Sequence, residues 1–370
     1  MNLAALRHNL RVVQKYSGGA KVWAVLKADG YGHGAPAVAR TLERAGAHGF
    51  CVALLEEAIE LREAGIFAPI LVMGGYYPNA HAEVIHRNLI PVVYNEEHLD
   101  GFSRASRLLG SSRALPVHVK VDTGMARLGV TMDNIEGFAE KLKARGEVEV
   151  SGLMTHFGSA DAENVSDVEA QLLRFEEATL RFAEVGIRPQ VRHAANSAAV
   201  FRKEGLLDIV RPGIAFFGVS PTLPDGSPLT TELQTVMRVR SEIVDLRTVH
   251  EGSAIGYGGL WRAKRPSRIA TMPMGYADGL SRHLTNRGHV LVRGKRAPIV
   301  GAVSMDMSMV DVTDIEGVSM RDEVVILGGQ EGVLGSDSIS VDEIAKHCET
   351  IPWEVLCAIS RRVPRFYREP

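Results

Sequence analysis

The sequence predicts an N-terminal (β/α)8 barrel of the TIM type over residues 1–224, followed by a mainly-β domain over residues 225–370. Two observations predict the barrel: eight apolar runs alternate with segments of helical periodicity, and polar side chains directly follow several of those runs. A third observation predicts the second domain, because beyond residue 225 consecutive β-rich runs replace the alternation of helix and strand.

The barrel elements follow one another in a regular order. Leu3, Leu6, Leu10 and Val13 recur at helical spacing and predict an opening helix. The predicted strands are short apolar runs bounded by turn residues, at 22–27, 49–53, 69–73, 90–94, 116–121, 148–155, 190–194 and 207–211. Amphipathic helices are predicted between them at 35–46, 55–64, 79–88, 96–109, 134–145, 167–184 and 197–203.

Eight strands separated by helices fit a closed barrel better than an open sheet, because closure removes both sheet edges. The second domain is predicted from alternating, turn-bounded runs, with turn residues at 278–279 and 293–296. These runs lie at 235–249, 267–273, 289–293, 297–303 and 322–327, and a helix near 340–348 and a last segment at 355–367 close the chain.

Composition narrows the class of protein. The 370-residue chain is 45% hydrophobic and 23% charged, and its net charge of −2 comes from interspersed residues of both signs. No basic face indicates nucleic acid and no polybasic or long apolar segment indicates a membrane, so the expected partners are small molecules and other subunits. Cys51, Cys348 and Cys357 are an odd number without close pairing or a C-x-x-C motif, which argues against a disulfide framework and against a zinc site. A reducing compartment fits this pattern, so the protein is expected to be cytoplasmic.

In a parallel barrel the catalytic groups lie just after the strands, and several suitable side chains do so here. A lysine at a strand end usually only extends its amine into solvent. A partly desolvated amine can instead attack an aldehyde, either of a sugar phosphate or of pyridoxal phosphate, and spacing does not decide between them. The residues concerned are Lys27, Lys120, His156, Asn196, Ser197 and Arg211, followed by a glycine turn at Gly213–Ile214 that could face an anion.

A family resemblance decides that choice. The stretch Ala24-Val25-Leu26-Lys27-Ala28-Asp29-Gly30-Tyr31-Gly32-His33-Gly34 resembles the cofactor-lysine motif of the alanine racemases, which are fold-type III pyridoxal-phosphate enzymes. Eight further segments resemble that family in the same order, so the similarity covers nearly the whole chain. They are 120–129, 152–157, 193–197, 211–214, 256–258, 275–279, 303–306 and 362–365.

The resemblance implies two acid/base groups. Lys27 would bind pyridoxal 5'-phosphate through its amine and act on one face of the substrate carbon, and Tyr257 would act on the other face. His156 would be the neighbour that lowers the pKa of Tyr257. Taken alone, Tyr257 is more typical of an ordinary core tyrosine and His156 of a structural histidine, so these roles depend on the ordered set of motifs.

Three basic residues receive roles by the same resemblance. Arg211 would face the pyridine nitrogen of the cofactor without giving it a full proton. Arg127 would hold the cofactor's phenolic oxygen and the substrate carboxylate, a bidentate task that suits a guanidinium. Lys120 would otherwise be a buried cation next to Arg127, and similar enzymes carbamylate it, which converts the cation into an anion.

The remaining implied site residues bind the phosphate or come from a second subunit. Ser197, Gly213 and Ile214 would hold the phosphate, with Asn196 beside them, and Tyr31 of the first motif would lie at the cofactor. The active unit implied is a homodimer with shared sites. The residues expected to reach the other subunit's cofactor lysine are Tyr257, Tyr276, Met305 and Asp306.

The sequence departs from the family pattern at two functional positions. Trp353 stands where the family usually has a tyrosine on the phosphate, so an aromatic wall and an N–H donor remain but the hydroxyl is lost. Ala302 stands where an arginine is frequent, which leaves Arg282 and Asp161 as the expected polar lining of the substrate entrance.

The leading hypothesis is therefore an alanine racemase that supplies D-alanine for peptidoglycan. A serine or broad-specificity amino-acid racemase of the same fold is the alternative that Trp353 keeps open. A non-catalytic pyridoxal-phosphate carrier is an alternative of another class. Such carriers resemble the barrel alone, whereas this chain continues into a β domain that contains Tyr257.

Overall fold

The computed structural model describes residues 1–74 and 80–369. Two compact units are present. One consists of residues 3–30 and 34–234, and the other of residues 1–2, 31–33 and 235–370. We call them the barrel unit and the C-terminal unit and describe each by itself. The predicted helix at 79–88 begins outside the described residues, and the structure has a helix at His81–His86.

The barrel unit contains a closed ring of eight parallel strands, which confirms the predicted fold class. β1 pairs with β2 on one side and with β9 on the other, and pairing of β4 with β5 completes the ring. The strands are β1 Lys21–Val25, β2 Gly49–Val52, β3 Ile70–Val72, β4 Ile90–Val93, β5 Leu115–Asp122, β7 Val148–Met154, β8 Val191–His193 and β9 Ile209–Val210, while β6 Val130–Thr131 adds to β5 outside the ring.

Helices connect successive strands of this ring. Their buried positions recur at helical spacing, as Leu6, Leu10 and Val13 show for the first helix. They span Leu3–Tyr16, Ala35–Arg44, Leu55–Glu63, His81–His86, Glu96–Leu108, Ile135–Lys143, Ser166–Glu184 and Ser197–Arg202, with 3-10 turns at Met132–Asn134 and Ile214–Phe217. Within the described residues, no helix combines the length and the apolar character needed to cross a membrane.

The C-terminal unit consists mainly of antiparallel sheets. One sheet has the order β10-β18-β15-β16 with β19 on β18, a second has the order β11-β14-β17, and β12 and β13 form a hairpin. The strands are β10 Val239–Glu242, β11 Asp245–Val249, β12 Ala254–Ile255, β13 Trp261–Arg262, β14 Ser267–Met272, β15 His289–Val292, β16 Lys295–Pro298, β17 Ser308–Asp311, β18 Glu323–Gly332 and β19 Gly335–Ile339. Helices Val341–Cys348 and Pro352–Ala358 follow, and 3-10 turns occupy Tyr257–Gly259, Tyr276–Asp278 and Arg282–Leu284.

The strand predicted at 297–303 is wrong in its position. β16 begins at Lys295 because the preceding turn has only two residues, Arg293 and Gly294, with φ values of 55° and 83°. Positive φ at both central residues is the two-residue hairpin turn whose twist matches that of its strands. The sequence prediction assigned four residues to that turn and so shifted the strand toward the C-terminus.

Aromatic and imidazole rings fill part of the barrel interior. Trp23 stacks on His118 with ring centroids 5.8 Å apart, and His118 Nδ1 lies 2.8 Å from His193 Nε2. Glycines make the room for these rings. A Cβ on Gly152 would lie 2.5 Å from the His118 ring, and one on Gly49 would lie 2.8 Å from Trp23. The barrel therefore places two histidines where other barrels have aliphatic layers.

Both interior histidines are neutral at ordinary pH. Burial, with the charge of Arg211 as the next contribution, lowers the pKa of His118 to about 3. The same two causes lower the pKa of His193 well below its usual value. Between pH 3 and 6.5 the unfolded chain therefore binds protons that the folded chain does not, so stability falls as the pH falls through that window.

We expect the unfolding midpoint to drop between pH 7 and pH 5 by more than an exposed histidine would cause. His118 contributes about 2 kcal/mol to that loss, and His193 adds to it in the same direction. His118→Asn keeps an acceptor for His193, and its stability should depend less on pH than that of the wild type. The matched control is His250→Asn, since His250 is exposed. An identical pH dependence of urea or thermal unfolding in all three proteins would contradict the prediction.

Candidate active site

The barrel unit places most of the predicted site residues at the carboxyl ends of its strands. Lys27 follows β1 by two residues, Lys120 lies near the end of β5, and His156 follows β7 by two residues. Ser197 begins the helix after β8, and Arg211 follows β9 directly. Parallel strands of a barrel end on the same face, so these side chains share one rim.

Lys27 opens a left-handed turn. Ala28, Asp29 and Gly30 have φ values of 54°, 55° and 60°, and Tyr31 continues with 52°. Left-handed backbone costs roughly 1–2 kcal/mol for each residue other than glycine, so other interactions must stabilise this turn. One of them lies close in sequence, because Ala35 N donates to Asp29 Oδ1 over 2.8 Å.

Arg211 is a buried cation held by neutral partners. It is only 4% exposed, and its Nη1 lies 2.5 Å from His193 Nδ1. Its Nη2 donates to the carbonyl oxygens of Thr155 at 2.7 Å and Ala194 at 3.2 Å. No carboxylate in the described part of the chain forms an ion pair with it, and burial lowers its pKa to about 10. The guanidinium is therefore still charged at neutral pH.

The hydrogen bonds of Arg211 fix the tautomers behind it. An arginine only donates, so His193 Nδ1 must accept, and the proton of His193 then lies on Nε2. His193 Nε2–H donates in turn to His118 Nδ1. The chain Arg211–His193–His118 thus has one internally consistent arrangement, which keeps the guanidinium in one orientation at the rim.

Lys120 is a second buried basic group. It is 7% exposed, and burial followed by the charges of Arg127 and Arg211 lowers its pKa to about 8. Arg127 itself is exposed, in a loop that starts from Asp122. The Oδ1 atom of Asp122 accepts from Gly124 N at 2.9 Å and Ala126 N at 3.1 Å, which gives that loop a fixed start.

The basic side chains of the rim act together on His156. Its pKa is lowered to about 3, first by burial and then by the charges of Arg211, Arg127, Lys120 and Lys27. Four basic side chains from the ends of three strands therefore act on one imidazole, which stays neutral. A region with this excess of basic groups suits an anionic ligand.

Gln171 is a buried residue of this rim that sequence reasoning missed. Its Nε2 donates to Thr123 Oγ1 at 3.2 Å and to the carbonyl oxygen of His156 at 3.1 Å, and its Oε1 accepts from Gly158 N at 3.0 Å. It thereby ties the loop after β5 to the loop after β7. Nothing in the helical pattern of Ser166–Glu184 distinguishes this glutamine from a surface one.

The predicted phosphate residues lie next to one another. Ser197 Oγ accepts from Gly213 N at 3.0 Å and from Ala215 N at 3.5 Å, which fixes the glycine turn against the helix. Asn196 caps that helix, since its Oδ1 accepts from Ala199 N at 3.0 Å. Ile214 begins the following 3-10 turn, where the first N–H groups have no partner within the turn.

The C-terminal unit contains the residues predicted to serve a second subunit, and hydrogen bonds connect the segments of three of them, Tyr276, Met305 and Asp306. Tyr276 N donates to Ser304 O, and Ala277 N donates to Met305 O, both over 3.0 Å. Arg362, which sequence reasoning placed only within a motif, donates over 2.7 Å to Asp278 and over 2.7 Å to Asp306. The side chains presented to solvent include Tyr257, which is 78% exposed, as well as Tyr276, Met305 and Asp306.

Tyr31 belongs to the C-terminal unit together with the helix that contains Trp353. A Cβ on Gly32 would lie 2.2 Å from the carbonyl oxygen of Leu356, so only glycine allows this close approach. Tyr31 is 5% exposed, and Trp353 is half-buried.

Two further predicted residues lie apart from the hydrogen-bonded groups just described. Arg282 is exposed on a 3-10 turn of the C-terminal unit, and Asp161 is exposed in a loop of the barrel unit. Neither forms an ion pair with another described residue. No group of three or more metal-binding side chains with a suitable arrangement occurs within residues 1–74 and 80–369.

Comparison with known proteins agrees with this architecture. The family model of the alanine racemase N-terminal domain matches residues 1–221, and that of the alanine racemase C-terminal domain matches residues 236–367. A curated alanine racemase of Sorangium cellulosum is 56% identical over 100% of this chain and 98% of its own length. One of Halothermothrix orenii is 41% identical over 100% and 96% of the two chains.

Solved structures agree in fold. The alanine racemase of Bacillus anthracis with bound L-Ala-P has a TM-score of 0.90 and 33% identity, covering 100% of this chain and 94% of that one. The enzyme of a D-cycloserine-producing Streptomyces lavendulae has a TM-score of 0.91 and 32% identity, covering 100% and 96%. With both family models and full-length relatives matched, this chain belongs to the alanine racemase family.

Proposed function

We propose that this protein is a pyridoxal-phosphate-dependent alanine racemase that interconverts L-alanine and D-alanine. The observation that supports the proposal most is the set of four basic side chains acting on neutral His156 at the barrel rim. The names of its relatives supply the substrate. In this role the protein would supply D-alanine for peptidoglycan.

The residues of the rim fit the proposed cofactor. Pyridoxal phosphate has a phosphate, a phenolic oxygen and a ring nitrogen, so it needs cations, N–H donors and a partner for that nitrogen. Ser197, with the turn at Gly213–Ile214 and with Asn196 beside it, would hold the phosphate. Arg211 has a buried charge without a carboxylate, which suits a neutral acceptor nitrogen better than a protonated one.

When bound, the cofactor supplies the electron sink that makes the substrate's Cα proton removable. Lys27 Nζ takes or returns that proton on one face, and the hydroxyl of Tyr257 does so on the other. Inversion needs groups on both faces, since a single group would return the proton to the side from which it came. Arg127 orients the substrate carboxylate through its planar guanidinium.

We further propose a homodimer in which Tyr257 serves the site of the partner chain. The exposure of Tyr257, Tyr276 and Met305 supports this, because monomeric proteins rarely leave large side chains clustered in water. Hydrogen bonds between the Tyr276 loop and the Met305 loop give the surface a fixed shape. Tyr31 and Trp353 would also contact the cofactor, and Arg282 and Asp161 would line the substrate entrance.

Two substitutions test the pair of bases. Lys27→Ala should abolish D-alanine formation from L-alanine and the reverse reaction. Tyr257→Phe should slow both directions by roughly 10²–10⁴-fold, the usual contribution of a general acid or base. Tyr16→Phe is the matched control. Tyr16 is the last residue of the first helix, and its hydroxyl donates to Glu232. Full activity of Tyr257→Phe would show that the two-base assignment is wrong.

The same assays distinguish the enzyme from the alternative of another class, a non-catalytic pyridoxal-phosphate carrier. A carrier would bind the cofactor at Lys27 and racemise nothing, in the wild type as in the variants. The presence of the C-terminal unit with Tyr257 favours the enzyme.

We also propose that Lys120 is carbamylated. Its amine nitrogen would attack carbon dioxide and release one proton, leaving a carbamate anion next to Arg127 and Arg211. The lowered pKa of about 8 supports this, because a fraction of the amine is then neutral and able to react near neutral pH. The neighbouring cations would stabilise the anion formed.

Carbon-13 NMR in ¹³C-bicarbonate should therefore show one protein carbamate signal. The signal should disappear in Lys120→Arg and persist in Lys21→Arg, because Lys21 is exposed at the start of β1. A wild-type spectrum without such a signal at saturating bicarbonate would remove the proposal.

Trp353 favours a second candidate function, racemisation of serine or of a wider range of amino acids. It offers an N–H donor where the family pattern has a hydroxyl, on the helix Pro352–Ala358. We expect Trp353→Tyr to raise the ratio of kcat/KM for alanine to that for serine by about tenfold. Trp353→Phe isolates the contribution of the hydroxyl and should leave the ratio near the wild-type value. Equal ratios in all three proteins would exclude a role of this position in specificity.

A further inference from the structure

The left-handed turn after Lys27 is held by a side chain from the neighbouring βα unit. The carboxylate of Glu57 accepts from Ala28 N through Oε1 at 2.6 Å. Its other oxygen accepts from Ala53 N at 2.8 Å and from Leu54 N at 3.1 Å. One carboxylate therefore joins the loop after β1 to the loop after β2.

We propose that Glu57 is a positioning residue for Lys27. Ala28 is the first residue of the turn, and its N–H belongs to the peptide that follows the Lys27 Cα. Because that peptide is bonded directly to the Lys27 Cα, holding it fixes the backbone position from which the Lys27 side chain extends. The inference rests on the proposed function in that Lys27 is taken as the reacting amine.

Other hydrogen bonds shape the turn itself. Gly30 N donates to Leu26 O and Gly34 N donates to Asp29 O, both over 2.9 Å, and these bonds close the turn. The side chain of Asp29 accepts from Ala35 N, farther along the chain. Glu57 lies on the helix Leu55–Glu63, which packs on the barrel through Leu55, Ala58 and Leu61. It therefore ties a strained backbone segment to a rigid element.

A carboxylate is the group that this position requires. All three partners are N–H donors, so both oxygens must accept. Glutamine has the same shape but would turn its NH2 group toward one of the two loops, where it meets another donor. Aspartate keeps the charge but is one methylene shorter, about 1.5 Å of reach, and it cannot span both loops.

The simpler explanation is that Glu57 only caps its helix. Its bonds to Ala53 N and Leu54 N satisfy donors at that helix start, and loss of such a cap lowers stability without touching a site. Asn95 offers a matched comparison. Its side chain caps the helix Glu96–Leu108 of the same barrel by accepting from His98 N over 2.9 Å.

The experiment compares wild type, Glu57→Gln and Asn95→Ala as holoenzymes. Backbone hydrogen exchange of the peptide that contains residues 28–30 is measured by mass spectrometry, together with the thermal midpoint and the kcat and KM for L-alanine. Glu57→Gln should exchange at least about tenfold faster at this peptide. Its kcat should fall about 10–100-fold while KM changes less than about threefold. Asn95→Ala should show the loss of thermal midpoint alone.

A Glu57→Gln protein that loses thermal stability like Asn95→Ala, but retains wild-type exchange at residues 28–30 and wild-type kcat, would overturn the proposal. If Glu57→Gln does not fold, Glu57→Asp is measured in its place with the same expected changes. Absence of alanine racemisation in the wild type would refute the proposed function instead. The exchange measurement would then still decide whether Glu57 holds the turn.

Discussion

The buried positive charge of Arg211 is the constraint on which the rest of the barrel rim depends. A guanidinium that is 4% exposed and has no carboxylate partner among the described residues is costly unless its donors are satisfied. Backbone oxygens and the Nδ1 atom of His193 accept the hydrogen bonds of the guanidinium. His193 Nδ1 can accept because the proton of His193 lies on Nε2, which donates it to His118. Gly152 belongs to the same arrangement, since any side chain there would displace the His118 ring.

An uncompensated cation at the rim also defines what the site can bind. Lys120 and Arg127 add to it, and His156 stays neutral among them. Anionic ligands and neutral hydrogen-bond acceptors are stabilised in such a place, whereas a cationic ligand is repelled. Burial, followed by the charges of Arg127 and Arg211, lowers the pKa of Lys120, so the same buried basic rim accounts both for the ligand preference and for the proposed reactivity of that amine.

Much of the architecture could be predicted from the sequence because apolar runs and turn residues determine strands locally. The left-handed turn could not, since Ala28 and Asp29 are not residues that require positive φ, and Glu57 has the appearance of any first-turn glutamate. β17 at Ser308–Asp311 was also missed, because four residues of mixed polarity gain strand structure only by pairing with β14. In each case a contact distant in sequence decides the local conformation.

Isotope transfer tests most directly the proposal that two different groups exchange the Cα proton from opposite faces. L-alanine is incubated with the enzyme in D2O to low conversion. The two enantiomers are then separated, and the deuterium content of each is measured by mass spectrometry. Two bases predict that the first D-alanine formed carries deuterium at Cα while the remaining L-alanine does not. D-alanine that retains its Cα protium would contradict the account, because one group must then have returned the proton it removed.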